Sequence, residues 1–240
     1  MIRMDLIRTA KKALKFSYLH ARRLKIQYQV KGNTKIFCIG ANKTGTTSLK
    51  KAMDELGFVV GAQITAENLV DDWAQRDFRR IIKYCKSAEF FQDAPFSFEF
   101  TYIVMDHAFP GSKFILTERD SPEQWYNSVV RFHSKMWGKD GNLPTKKNLQ
   151  EAKYIYKGRP WHMNRMLNTT PEDDIYNKEI LMQRYIDHNK SIKYYFRHRP
   201  GDLLVINVAD DDSYTKLCEF LGVERKRDTF PWLNQTDKTT

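Results

Sequence analysis

One stretch of this sequence constrains the fold more than any other. Lys35-Ile-Phe-Cys-Ile-Gly40 is a short, nearly all-apolar run, the length of a strand rather than a helix. Residues 41–45 show no apolar periodicity and end in Gly45. Thr46 to Leu56 then sets Leu49, Ala52, Met53 and Leu56 three and four residues apart, and Gly57 stands where a helix stops. A strand with no polar alternation has to be covered on both faces. Strand, glycine-bounded loop and helix, in that order, open an α/β fold.

The chain downstream keeps the same rhythm. Residues 66–86 are predicted helical, 88–92 a short strand, 97–108 a helix and 113–118 a buried strand. A helix follows from Pro122 to about Phe132, with Asp120 or Ser121 as its cap and Glu123 in its first turn. A long helix over 175–197, a strand over 203–207 and a helix over 213–221 close the pattern at Gly222. The expected fold class is α/β, a P-loop-type three-layer αβα domain over residues 35–240 with a central parallel sheet. Residues 133–174 break the rhythm. They hold Gly138, Gly141, Pro144, Gly158, Pro160 and Pro171, yet also Trp137, Trp161, Tyr154 and Tyr156. That mixture predicts a structured, mostly helical insertion or lid.

Residues 1–34 carry nine Lys/Arg and one Asp, which is +8 of the chain's net +11. The body is therefore nearly neutral, and the basic charge does not by itself point to nucleic acid. Ile7, Ala10, Leu14, Tyr18, Ala21 and Leu24 recur at helical spacing, so residues 3–30 are expected to form a basic amphipathic helix. Three roles stay open for it: packing on the body, peripheral contact with an anionic membrane surface, or docking a nucleic-acid or protein partner, such as a second copy in a homodimer. No uncharged apolar run approaches the ~20 residues of a membrane span. Three scattered cysteines, Cys38, Cys85 and Cys218, fit a reducing, cytoplasmic compartment better than a disulfide framework.

The chemistry concentrates in Gly40-Ala-Asn-Lys-Thr-Gly45-Thr-Thr-Ser48. This nearly matches the phosphate-binding pattern G-x-x-x-x-G-K-[ST]. Both glycines and the last hydroxyl are present, so backbone N–H groups and a helix N-terminus would face an anion. Thr46 stands in the usual lysine position, and the lysine comes earlier, as Lys43. No apolar strand ends in the Asp that a nucleotide triphosphatase uses to hold magnesium. A second element, Lys113 to Arg119 followed by a helix bearing Ser128, offers an arginine fork and a hydroxyl suited to a phosphate.

Lys43-Thr-Gly-Thr-Thr47 resembles the 5′-phosphosulfate loop of sulfotransferases that use 3′-phosphoadenosine 5′-phosphosulfate (PAPS). Arg119 and Ser128 resemble that family's 3′-phosphate clamp. Arg199 to Gly222 is similar to its last strand and helix, and Phe230-Pro-Trp-Leu-Asn234 resembles its C-terminal signature. The likeness is closer to bacterial-type stand-alone enzymes than to the phenol and steroid enzymes, whose C-terminal Arg-Lys-Gly motif is missing. The resemblance implies a sulfotransferase fold, PAPS as donor, no metal, and Lys43, Thr44, Gly45, Thr46, Thr47, Ser48, Arg119 and Ser128 as cofactor-binding residues. Lys43 would serve as the cation for the leaving phosphate.

It also implies a base just after the second strand, where Asp93 stands, with Glu89, Glu99 and His107 as the other candidates. The acceptor stays open: a small molecule, a carbohydrate or a lipid. A P-loop kinase or nucleotide hydrolase with an atypical loop, and a non-catalytic protein bound to an anionic surface, are the competing readings.

Overall fold

The computed structural model describes residues 21 and 24–231. Most of the expected N-terminal helix and the end of the 230–234 signature lie outside these residues. Within them, residues 24–29 are helical.

Four parallel strands form the central sheet: β1 (Ile36–Cys38), β2 (Phe90–Phe91), β3 (Lys113–Thr117) and β6 (Leu203–Ile206), in the spatial order β2-β1-β3-β6. Ile36 pairs with Phe90 on one side and Lys113 on the other, and Phe114 pairs with Leu203. β1 shows why the fold has three layers. Ile36 and Cys38 point to one face and pack with Leu49, Ala52 and Met53 of α1 (Thr46–Leu56) and with Tyr214, Leu217 and Cys218 of α10 (Ser213–Leu221). Phe37 and Ile39 point to the other face, into a larger cluster with Trp73, Phe91, Phe96, Phe114 and Phe196. Successive residues of a strand face opposite ways, so an all-apolar strand demands both layers.

The helices on the second face are α2 (Gln63–Glu67), α3 (Val70–Ala74), α4 (Arg79–Tyr84), α5 (Thr101–Ala108) and the long α9 (Lys178–Tyr195). The single helix expected over 66–86 is broken into α2, α3 and α4. Arg76 takes a left-handed φ of 59°, which a continuous helix does not allow. The helix expected from residue 97 starts at Thr101, after a left-handed Phe100 at its N-terminus. The long helix starts at Lys178 rather than 175, capped by the Asn177 side chain, which accepts from Ile180 N.

The helix expected to end near Phe132 runs on as α6 (Pro122–Trp137), with Pro122 in its first turn and Ser121 Oγ accepting from Gln124 N. Its last turn is held from outside: His133 Nδ1 lies 3.0 Å from Tyr176 Oη, and the His133 and Trp137 rings are 4.7 Å apart. The insertion thus begins after 137. It contains α7 (Lys146–Glu151), the hairpin β4 (Lys153–Tyr154) and β5 (Tyr156–Lys157), and α8 (Arg159–Leu167). Its Leu149 and Trp161 pack with Trp125, Tyr176 and Tyr185 of the body, so its aromatic residues anchor it.

The two loop glycines are fixed by close approach. A Cβ on Gly40 would stand 2.3 Å from Thr117 Oγ1 and 2.5 Å from its carbonyl. A Cβ on Gly45, at φ 97°, would meet Val208 Cγ2 at 2.1 Å. Gly45→Ala therefore combines a left-handed backbone with a clash, and is expected to cost about 2–4 kcal/mol. Thermal denaturation checks this; a melting temperature equal to wild type would refute the packing described.

Candidate active site

The loop from Gly40 to Gly45 leaves the C-terminal end of β1 and enters α1 directly, where a doubly wound sheet binds its ligands. Its shape comes from bonds that turn inward. Thr44, fully buried, donates from Oγ1 to the Ala41 carbonyl at 2.6 Å. Thr117 Oγ1 lies 2.5 Å from the same oxygen and, since the Thr44 proton is already used, donates to it. The loop and the residue before it are held by four side chains. Trp125 Nε1 donates to Asn42 O at 2.9 Å, Arg119 Nε donates to Lys43 O at 2.9 Å, Ser97 Oγ donates to Asn42 Oδ1 at 2.9 Å, and His188 Nε2 bonds Ile39 O at 2.8 Å. The intrahelical ladder of α1 starts with Leu49 N to Gly45 O, 3.1 Å. Thr46, Thr47 and Ser48 precede it, in the first turn of the helix. That end of a helix attracts anions.

The predicted residues fall into distinct roles. Thr44 is fully buried, with its hydroxyl committed to the interior. Thr46 is buried and donates from Oγ1 to Asp93 Oδ1 at 3.0 Å; Thr47 is exposed and Ser48 is buried. Lys43 has a left-handed φ of 74°, and its ammonium lies 3.7 Å from the centroid of the Phe132 ring. Burial lowers its pKa, Arg119 adds to that, and Asp93 opposes it. Arg119, half-buried, reaches back to the loop from the end of β3, and its N–H donates to Tyr185 Oη at 3.0 Å. Ser128 is half-buried on α6, three residues beyond Trp125, on the stripe of that helix that faces the loop.

Asp93 follows β2 with a left-handed φ of 56° and is only 6% exposed. Burial pushes its carboxyl up to about 6. The bond from Thr46 and the charges of Lys50 and Lys43 pull the other way, and Glu67 adds to the rise. The other candidate bases sit elsewhere. Glu89 lies at the opposite end of the sheet and accepts from Asn33 Nδ2 and Val59 N. Glu99 is engaged by Arg184 at 3.1 Å. His107 is exposed in the last turn of α5, which leads to the start of the central strand β3, at the end of the sheet away from the loop.

Several contributors carried no signal in the linear sequence. Tyr185 stacks on Trp125 with centroids 4.7 Å apart and planes 8° apart, while its hydroxyl accepts from Arg119. Glu67, buried, accepts from Gln63 Nε2 at 2.9 Å and from Tyr154 Oη at 3.0 Å, and buried Arg159 donates to its carbonyl at 2.7 Å. The insertion is thereby fastened beside Asp93. Among the described residues, no group of three or more His, Cys, Asp or Glu side chains is arranged to hold a metal ion.

A family model described as a sulfotransferase domain matches residues 35–239. No curated protein matches the chain significantly.

The raised carboxyl of Asp93 has a consequence for stability. A carboxyl whose folded pKa lies above its ordinary value favours folding fully only while protonated, and that contribution is lost as pH rises from about 4 through about 6. Asp93→Asn keeps an acceptor for Thr46 and removes the charge. It is expected to raise the melting temperature at pH 8 by about 3–6 °C, with the gain vanishing near pH 4. A gain independent of pH, or a loss at pH 8, would contradict the burial described.

Proposed function

The chain belongs to the sulfotransferase domain family, and from that premise we propose that it moves a sulfuryl group from PAPS to an acceptor hydroxyl or amine by in-line displacement. The observation that carries the proposal is a juxtaposition. Buried Asp93, its carboxyl lifted toward neutrality, is bonded to Thr46 on the anion-binding loop that also bears Lys43. A base and a cation on the two sides of one loop are what such a displacement requires.

The donor, when bound, supplies a sulfuryl group attached to a good leaving phosphate. The chain's own residues supply the rest. The N–H groups at the start of α1 and the exposed Thr47 hydroxyl bind the 5′-side oxygens. Lys43 neutralises the charge that grows on the leaving oxygen. Arg119 and Ser128 hold the 3′-phosphate, with the guanidinium's Nη groups left for it because Nε is committed to Lys43 O. Asp93 Oδ1 accepts from Thr46, leaving Oδ2 to take the acceptor's proton. A carboxyl near 6 does this better than an ordinary one near 4, because it is ionised at neutral pH and yet more basic.

For the acceptor we propose a small molecule, a carbohydrate or a lipid facing the insertion, which carries eight Lys/Arg against five Asp/Glu over residues 133–174. The basic N-terminal segment is proposed as a peripheral contact with an anionic membrane surface on the cytoplasmic side. The exposure of Leu24 and Tyr28 supports this.

Calorimetric titration with adenosine 3′,5′-bisphosphate tests the donor assignment. Binding is expected without magnesium and is expected to be lost in Arg119→Ala. Binding of magnesium–ATP in its place would overturn the assignment. In turnover assays Lys43→Ala is expected to lower kcat by about 100-fold or more, and a wild-type rate would remove Lys43 from the chemistry. kcat/KM is expected to rise with pH through about 6 and to level off above it, as Asp93 ionises. Persistence of that limb in Asp93→Asn would assign it to another group.

A further inference from the structure

The role proposed for Lys43 requires that its side chain be aimed. The ammonium of a lysine is a compact charge on four flexible carbons, and an unguided one explores a volume far larger than a leaving oxygen. In the structure Lys43 is constrained twice. Its carbonyl accepts from Arg119 Nε at 2.9 Å, which fixes the left-handed backbone. Its Nζ sits 3.7 Å from the centroid of the Phe132 ring, in the range where the negative face of an aromatic ring attracts a cation.

Phe132 is held in register with the loop. α6 places Trp125, Ser128 and Phe132 three and seven residues apart, which is one face of a helix. Trp125 fixes the rotation of that helix by donating to Asn42 O and stacking on Tyr185. Two turns later the same face presents Phe132 to Lys43. The last turn, which would fray if the helix ended at 132, is secured by the contacts of His133 with Tyr176 and Trp137. Phe132 as a residue is 37% exposed, so packing alone does not account for its place.

We propose that Phe132 is the positioning residue for Lys43: its ring holds the ammonium charged and aimed at the donor site, so one face of α6 aligns both the 3′-phosphate hydroxyl of Ser128 and the lysine at the leaving oxygen. The inference rests on the role given to Lys43 above. Other groups act on the same ammonium. Arg119 at the end of β3 repels it, Asp93 after β2 attracts it, and His133 on α6 is held neutral, its pKa pushed down to about 4 by burial and by Lys43. Phe132 opposes the loss of charge that burial and Arg119 promote.

The test compares Phe132→Leu, which removes the ring face, with Phe132→Trp, which restores one. The first readout needs no donor. The lysines are reductively methylated with ¹³C-formaldehyde, the Lys43 signal is assigned by its loss in Lys43→Arg, and its midpoint is titrated by NMR. The Leu variant is expected to titrate about 0.5 pH units or more below wild type, and the Trp variant at or above it. In turnover, Phe132→Leu is expected to lower kcat by about 3- to 10-fold with the affinity for adenosine 3′,5′-bisphosphate nearly unchanged, and Phe132→Trp to recover it. An unmoved Lys43 midpoint in the Leu variant, or a Trp variant as impaired as Leu, overturns the inference. Failure of the wild-type protein to bind the bisphosphate overturns the donor reading instead, and is seen separately because the midpoint is measured without it.

Discussion

The site depends on the contact between the turn after β1 and the end of β3. Gly40 lies so close to Thr117 that no side chain fits between them, and the hydroxyls of Thr117 and Thr44 meet in the space below. These bonds turn the Thr44 hydroxyl into the interior and hold the loop against the end of β3. The start of α1, with its positive dipole end, is thereby set at the outer side of the loop. The same contact fixes the distance from the loop to Arg119, which begins two residues after Thr117 and closes onto Lys43 O. Loop, lysine and arginine are in effect parts of one hydrogen-bonded assembly built across two strands.

Much of this could be read in the sequence, because the features involved are local. α1 starts at Thr46 and stops at Gly57, and α10 spans Ser213–Leu221 with Gly222 left-handed beyond it, as glycine and apolar spacing predict. β1, β2 and β3 are buried on both faces, as unbroken apolar runs imply, whereas the edge strand β6 leaves Val205 exposed. The loop and Arg119 stand out as short patterns and Asp93 through the family resemblance alone; in the fold Arg119 bonds the loop at Lys43 O and Thr46 bonds Asp93.

What could not be read has one common cause, which is distance along the chain. Tyr185 reaches Arg119 across 66 positions, and Trp125 reaches Asn42 across 83. Glu67 and Arg159 meet across 92. Periodicity says which face of a helix is buried, not what it is buried against. The breaks were missed for a different reason. Arg76 and Phe100 adopt left-handed backbones without being glycine, and the sequence gives no sign of it because tertiary packing imposes the conformation. The extension of α6 to Trp137 likewise depends on Tyr176, a residue outside the helix.

The fastening of the insertion through Glu67 joins three separate parts of the chain. Gln63, Tyr154 and Arg159 all converge on this one buried carboxylate and its carbonyl. Moving the β4–β5 hairpin away breaks the Tyr154 bond and leaves the buried carboxylate with Gln63 and the Arg159 ion pair. The hairpin is thus tied to α2 by one hydroxyl, and α8 beside it by a guanidinium on the Glu67 carbonyl. Two strips of the insertion far apart from α2 in sequence share one anchor, so a change at Glu67 is felt in both at once.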